Sequence, residues 1–392
     1  MHIVICTNVF PPMVGGMETI TMELAQRLAR ETETAAQESI RVTVATPRPQ
    51  AAANESHLPF AVVRKPSPLQ LLKLIATADI LHLAGTDMLP LLFGWLLRRR
   101  MVVEHHGFQT VCPNGQMFFE PARLPCPGHY MAGKHLHCLR CNASGGVILS
   151  LKRWLLTSPR RWLCSRAGAN VMPTAWLGGI LQLPRMVTIH HGLSAGKTLA
   201  TQRSQGTPTI LFLGRLVSTK GVHVLLKAVQ QLRNLDFRLE IIGDGPERPH
   251  LEAEVGSRQL ERHVSFRGYL PADDVEQAVA GAKAVVMPSL GGEVFGLVAL
   301  ENMLRKKVLI VSELGSLTEV VGDAGLVFPA GDAHALADCL RRVLQSDELA
   351  EQTAEKAVRR AGSLFTTERM IENHLLLYRR LMGAFPGDQL GT

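Results

Sequence analysis

The chain has 392 residues, 46% of them hydrophobic and 19% charged, with a formal net charge of +8. That length suits two domains, and the composition excludes disordered, fibrous and collagen-like chains. No apolar run reaches the roughly 18 residues of a bilayer span, and MHIVICTNVFPP lacks the basic start of a signal peptide, so a cytoplasmic location is expected.

The chain opens with HIVIC, a β-branched run that reads as a buried parallel strand. A Pro/Gly-rich loop, PPMVGGME, leads into a helix with apolar spacing at Ile20, Leu24, Ala25 and Leu28. Strand, glycine loop and helix make the first half of a βαβ unit. Further strands are expected at SIRVTVAT, FAVVRK, DILHLAG and RMVVEHHGF. From about 110 to 146 the rhythm breaks into a Cys-, His-, Pro- and Gly-rich stretch that reads as an insertion. A helix (LKRWLLTSPRRWLCSRA) and two strands (GANVMPT, RMVTIHHG) follow, and a polar stretch near 197–208 reads as a linker.

A second alternating series then begins. Its strands are ILFLG, FRLEIIG, HVSFRGY, AVVMPS and KVLIVS, with helices between them and a helical C-terminus from His334 to Met382. Two βα series in succession predict two Rossmann-like doubly wound α/β domains facing each other across a cleft, covering 1–200 and 207–365, with a last helix in 366–392. Ligands are expected at the carboxyl ends of the strands.

Charge divides along the same line. Residues 1–200 carry 20 Lys and Arg against 10 Asp and Glu, whereas 201–392 carry 22 against 24. Residues 121–200 hold ten cations and no carboxylate. Such clustering favours an anionic partner, whether nucleic acid, a phospholipid surface or an acidic substrate, over mere solubility. KRWLLTSPRRWLCSR, with Trp154 and Trp162 among its cations, fits either an anionic membrane surface or an ordinary helix with buried tryptophans.

Five groups of residues carry chemistry. Gly15 and Gly16 open the first helix, where backbone N–H groups can meet an oxygen-rich ligand. Arg215 and Lys220 leave the first strand of the second series and can reach one anion together. Gly291, Gly292 and Gly296 open the approach to a helix start whose free N–H groups suit phosphate, with Glu293 before it and Glu301 inside it as acceptors for sugar hydroxyls. His105 and His106 end a strand of the first series; alternation would send one inward and one outward, so at most one need act on a substrate. Cys112, Cys126, Cys138 and Cys141 lie within 30 residues, and the spacing of the last two suits a structural zinc site; reduced thiols that simply pack are the alternative. Two look-alikes are rejected. GLSAGKT at 192–198 has three residues between its glycines where a phosphate loop needs four, and Gly243-Asp244-Gly245 lacks the third glycine of a dinucleotide fingerprint and reads as a turn.

With these residues in view, ILFLGRLVSTKGVHVLLKAV, LEIIGDGPE, VSFRGYLP and MPSLGGEVFGLVALENML, in that order, resemble the retaining glycosyltransferases of family 4, also called group 1. PPMVGGME and LLLYRRL fit as well. The resemblance spans nearly the whole chain and is most specific over 209–330. It implies a GT-B fold, a nucleotide-sugar donor such as a UDP- or GDP-sugar, retention of configuration and no catalytic metal. It implies that Arg215 and Lys220 hold the donor diphosphate, Glu293 faces the donor sugar and Glu301 holds the ribose. Gly296, Leu297 and Val298 would donate to phosphate, Gly15 and Gly16 would approach the donor from the first domain, and His106 would lie near the transferred sugar. HGFQTVCPNG with CLRC looks like a Cys-rich insertion of one branch of the family, and the last helix would cross back onto the first domain. Asn302 and Leu304 stand where the family often has alanine. The expected acceptor is a saccharide or a lipid-linked saccharide in cell-surface polysaccharide or glycolipid synthesis, at the inner face of a membrane. A decayed, non-catalytic nucleotide-binding scaffold is the alternative, against which Arg215, Lys220, Glu293 and Glu301 are all present. A zinc-containing nucleic-acid binder finds no recognisable module.

Overall fold

The computed structural model describes residues 1–12, 15–34, 39–49, 55, 57–141, 146–194 and 206–383. Met13 and Val14 of the first glycine loop, most of the expected linker with the end of the rejected phosphate-loop look-alike, residues 142–145 of the Cys-rich stretch and the chain after 383 lie outside the described residues. The chain divides into two compact units. One comprises 1–115, 128–192 and 367–392; the other comprises 116–127 and 193–366.

The first unit holds a seven-stranded parallel sheet. Across the sheet the strands run Ala61–Arg64, Arg41–Thr46, His2–Thr7, Ile80–Ala84, Arg100–Glu104, Ala169–Met172 and Met186–Thr188. All seven match expected runs. His2–Thr7 and Ile80–Ala84 are buried along their whole length, as helices on both faces of a parallel sheet require. Local chemistry sets the helix boundaries. Ser67 caps Pro68–Ala76 with a reciprocal bond to Gln70, and Pro68 occupies a position whose N–H has no helical partner.

The second unit holds a six-stranded parallel sheet in the order Val264–Gly268, Arg238–Ile242, Thr209–Leu213, Ala284–Met287, Val308–Ser312 and Leu326–Phe328. Five of these match expected runs. The sixth, three residues between Gly325 and Pro329, is too short to show a period. The helical C-terminus is three helices, Ala333–Gln345, Asp347–Leu364 and Thr367–Met382, the last of them in the first unit.

One part of the Cys-rich insertion, residues 116–127, groups with the second unit, while its remaining described residues stay with the first. Residues 116–127 form a short antiparallel pair, Phe118–Phe119 with Leu124–Pro125, that belongs to the second unit. The cause is apolar: Phe118 is fully buried in the second unit's core with Phe212, Leu216 and Leu290.

In both sheets the first strand lies between the second and the fourth, so the crossovers diverge at its carboxyl end and open a crevice there. In the second unit that crevice is edged by 214–221 and 288–296. Its floor is fixed by Gly243, where the chain turns with φ +128° and where an added Cβ would stand 2.0 Å from the Gly214 carbonyl oxygen. Bonds from Gly214 N to Ile242 O (3.1 Å) and from Leu216 N to Asp244 O (2.9 Å) lock the two loops together. Gly243→Ala is expected to destabilise the protein by roughly 2–4 kcal/mol, from strain at a positive φ plus an overlap that only a backbone shift relieves. Urea unfolding measures this; an unchanged midpoint would contradict the close approach.

Candidate functional site

In the second unit, Lys220 ends a short turn, Ser218–Lys220, after the first strand. Its ammonium meets the carboxylate of Glu293, which leaves the loop after the fourth strand. The two residues are 73 apart in sequence and meet because both loops edge the same crevice. Gly221 lets them approach: at φ +66°, a Cβ there would stand 1.9 Å from the Pro288 carbonyl oxygen. Leu290 N donates to Thr219 O at 2.7 Å and closes the seam.

Glu293 is held at both ends. Ser289 Oγ donates to Glu293 Oε1 at 3.1 Å, and Ser316 Oγ donates to its carbonyl at 3.0 Å. The pair therefore sits on a prepared scaffold rather than on a solvated loop. Arg215 is exposed on the same loop as Lys220, and no acceptor among the described residues holds it.

The helix Leu297–Leu304 starts at Gly296 with no side-chain cap. Its ladder begins with Ala299 N and Leu300 N on Gly296 O, at 2.8 and 3.2 Å. The N–H groups of Leu297 and Val298 lie outside that ladder, at the positive end of the helix dipole. Glu301 lies within the helix with 37% of its side chain exposed. Arg305 Nη1 stands 3.7 Å from it, but the Arg305 guanidinium forks onto Glu276. The protein around Glu301 strips part of its hydration and raises its pKa, while Arg305 pulls it down. An ordered ammonium–carboxylate pair, a free guanidinium and an uncapped helix start in one loop system suit an anion rich in oxygen.

Two participants were not anticipated. Ser218 Oγ donates to both oxygens of Glu120 at 3.0 Å, and Gly292 N donates to Gln116 O at 2.9 Å. Both partners come from the 116–127 segment. The signal that could have found them is Phe118-Phe119, two large apolar residues in a polar stretch.

In the first unit, Gly15 precedes the helix Gly16–Thr34 and accepts from Thr19 N at 3.2 Å. His105 and His106 do not alternate inward and outward. The strand ends at Glu104, and both imidazoles are buried. His105 Nε2 meets Asn170 Oδ1 at 2.9 Å, and burial pushes its pKa down to about 4. The His106 ring is 2% exposed and neither of its nitrogens has a hydrogen bond, so the accessible part of His106 is its main chain. Cys112, Cys138 and Cys141 are buried in the first unit, and Cys126 is half-buried in the second. Asn114 links two of the thiols, accepting from Cys112 Sγ at 2.9 Å and donating to Cys141 Sγ at 3.1 Å.

Comparison with known proteins bears on this arrangement. Residues 200–360 match the family described as Glycosyl transferases group 1. The chain is 32% identical over 209 residues to a phosphatidyl-myo-inositol mannosyltransferase of Mycobacterium leprae, covering 51% of this chain and 52% of that protein. It is 32% identical over 154 residues to an alpha-D-kanosaminyltransferase of Streptomyces kanamyceticus, covering 38% and 40%. The matches thus span about half the length of these curated relatives or less. The structure of Anabaena HepE in complex with UDP and glucose superposes with a TM-score of 0.72 at 17% identity, covering 95% of this chain and 98% of that one. Two Rossmann-like units of parallel α/β type and this likeness make the fold GT-B, as expected.

The Lys220–Glu293 pair has a consequence of its own. Glu293→Gln removes the carboxylate that neutralises Lys220 and is expected to tighten binding of inorganic diphosphate by about 5- to 10-fold, the worth of roughly 1 kcal/mol of released pairing. Calorimetric titration reads this, and unchanged or weaker binding would show that Lys220 does not face the anion.

Proposed function

We propose that the chain is a retaining glycosyltransferase that moves a sugar from a UDP- or GDP-sugar to a saccharide or lipid-linked acceptor, in cell-surface polysaccharide or glycolipid synthesis. The observation that carries this reading is the Lys220–Glu293 pair beside the uncapped start of Leu297–Leu304, in a segment that matches group 1 glycosyl transferases. Arg215 and Lys220 would hold the donor diphosphate, and the N–H groups of Gly296, Leu297 and Val298 would share its charge. Glu301, weakly held by Arg305, would take the ribose hydroxyls, and Glu293 the donor sugar. In the first unit, Gly15 and Gly16 would approach the donor, and His106 would lie near the transferred sugar.

The chemistry follows from that assignment. The bond from the anomeric carbon to the diphosphate breaks, and the acceptor oxygen bonds the same carbon on the same face. The acceptor's proton passes to the departing diphosphate. The protein's main task is then to stabilise negative charge on the leaving group, which two cations and a helix dipole do. A decayed scaffold would have no need to keep Arg215, Lys220, Glu293 and Glu301 together.

A thermal-shift panel of UDP, GDP and ADP with their sugar conjugates tests the donor site. One nucleotide sugar should stand out, since saturation at about 100 times Kd adds roughly 2.7 kcal/mol. Glu301→Ala should abolish most of that shift. Arg215→Ala should slow transfer by on the order of 100-fold while binding weakens less. A flat panel with folded protein, or normal turnover by either variant, would reject the reading.

A membrane surface is the partner we propose for the first unit. No helix among the described residues is long and apolar enough to cross a membrane. The helices Met88–Leu96 and Val147–Ser165 instead pack through Trp95 and Trp162, with ring centroids 5.1 Å apart, and leave apolar side chains in solvent. Val147 and Ile148 are 81% and 86% exposed, with Leu96, Leu151 and Leu155 alongside. Lys152 and Arg153 are exposed on the same helix. Such a face suits insertion at headgroup depth in an anionic leaflet. The lipid acceptor named for the Mycobacterium leprae relative supports a lipid-linked acceptor here. The chain should co-sediment with vesicles containing anionic phospholipid and much less with zwitterionic ones. Ile148→Glu with Leu151→Glu should abolish this without altering the nucleotide shift; retained binding would remove the face from consideration.

A further inference from the structure

Glu104 is buried at the end of its strand among four histidines, His82, His106, His191 and His374, all in the first unit. One side of the carboxylate is ordinary. Tyr378 Oη lies 2.9 Å from His82 Nδ1, and His82 Nε2 lies 3.0 Å from Glu104 Oε2, so hydroxyl donates to imidazole and imidazole to carboxylate.

The other side is not. Glu104 Oε1 accepts no hydrogen bond, and neither nitrogen of His106 makes one, although all three atoms are enclosed. His191 Nδ1 stands 3.5 Å from Oε1, and His106 Nε2 stands 3.8 Å from Oε2. The two rings stack with centroids 5.4 Å apart. Burial keeps both imidazoles below their ordinary pKa, His191 down to about 3, so they present lone pairs rather than positive charge. A buried carboxylate without a permanent cation, beside the two unpartnered nitrogens of His106, is costly.

The spacing points to what relieves that cost. Two ligands on a tetrahedral zinc ion at bonds of about 2.1 Å stand about 3.4 Å apart, close to 3.5 and 3.8 Å and wider than the 3.0 Å of the bonded His82. Ligand atoms of Glu104, His106 and His191 all lie within 4.8 Å of one another. We propose that Glu104, His106 and His191 bind one divalent transition-metal ion of the zinc class, with His82 and Tyr378 orienting the carboxylate behind it. Two imidazoles and one carboxylate make a ligand set that favours zinc, cobalt or iron over calcium or magnesium. The ion would fasten the end of Arg100–Glu104 to the segment after Met186–Thr188 and, through His82 and Tyr378, to the helix Thr367–Met382. This holds whether or not the chain transfers a sugar.

The test is a Co²⁺ titration of the chelator-stripped full-length chain, followed by visible absorption, with Zn²⁺ competition. Sulfur-to-cobalt charge transfer in the near ultraviolet marks any ion on the cysteines, while a carboxylate–imidazole site shows only d–d bands. One equivalent of the second kind is expected, retained in Cys138→Ser. Its affinity should fall at least about 100-fold in Glu104→Gln and in His191→Ala, and about 10-fold in Tyr378→Phe, as for loss of an outer partner. Should Glu104→Gln fail to fold, His191→Ala decides. Binding of no cobalt beyond a thiolate site, or binding unchanged in folded His191→Ala, would overturn the proposal.

Discussion

The reversal of strand order beside each first strand is the constraint on which the rest depends. A parallel sheet covered on both faces must connect its strands by crossovers, and a sheet that grows in both directions from its first strand must part those crossovers at one edge. Everything polar in the second unit's site follows from that parting. Lys220 is where it is because the chain leaves the first strand there; Glu293 is where it is because the chain leaves the fourth. The glycines at 221 and 243 let two loops run closer than any side chain would allow.

Electrostatics is handled differently in the two units. In the second, a flexible ammonium neutralises a carboxylate that also accepts from the Ser289 hydroxyl, so the pair can open for a stronger anion without leaving Glu293 unsupported. In the first, the carboxylate of Glu104 is enclosed with imidazoles and has no flexible partner. The former is an exchangeable arrangement at a loop edge; the latter is a fixed one, enclosed at the carboxyl end of a strand.

The strands were legible because buried parallel strands leave an unambiguous trace: HIVIC, DILHLAG and ILFLG admit few other readings. Leu326–Phe328 left no such trace, since three residues show no period. The residues of the second unit's site were legible as strand-end cations and a glycine-opened helix, and the family resemblance gave them roles. What sequence reasoning missed was tertiary. Glu120 and Gln116 join the second unit only because Phe118 is drawn into its core. Glu104 reads in sequence as the polar end of a strand, and its histidines arrive from positions 82, 106, 191 and 374. The one local hint was His82 itself, a lone imidazole inside an otherwise apolar buried run. The inward turn of His106 was likewise hidden, because strand alternation stops at Glu104 and the following turn sets the ring's direction.

The wedge at 116–127 also bears on how such proteins can be recombined. Because this segment lies in the first half of the chain yet completes the core of the second unit, the structural boundary and the sequence boundary do not coincide. A chimera spliced near residue 200 would carry a foreign Phe118 into a cavity shaped by Phe212, Leu216 and Leu290, and a foreign Glu120 onto Ser218. Exchange of the second unit between relatives therefore calls for moving two pieces of chain rather than one, and divergence of the insertion is tied to that of a core it does not adjoin in sequence.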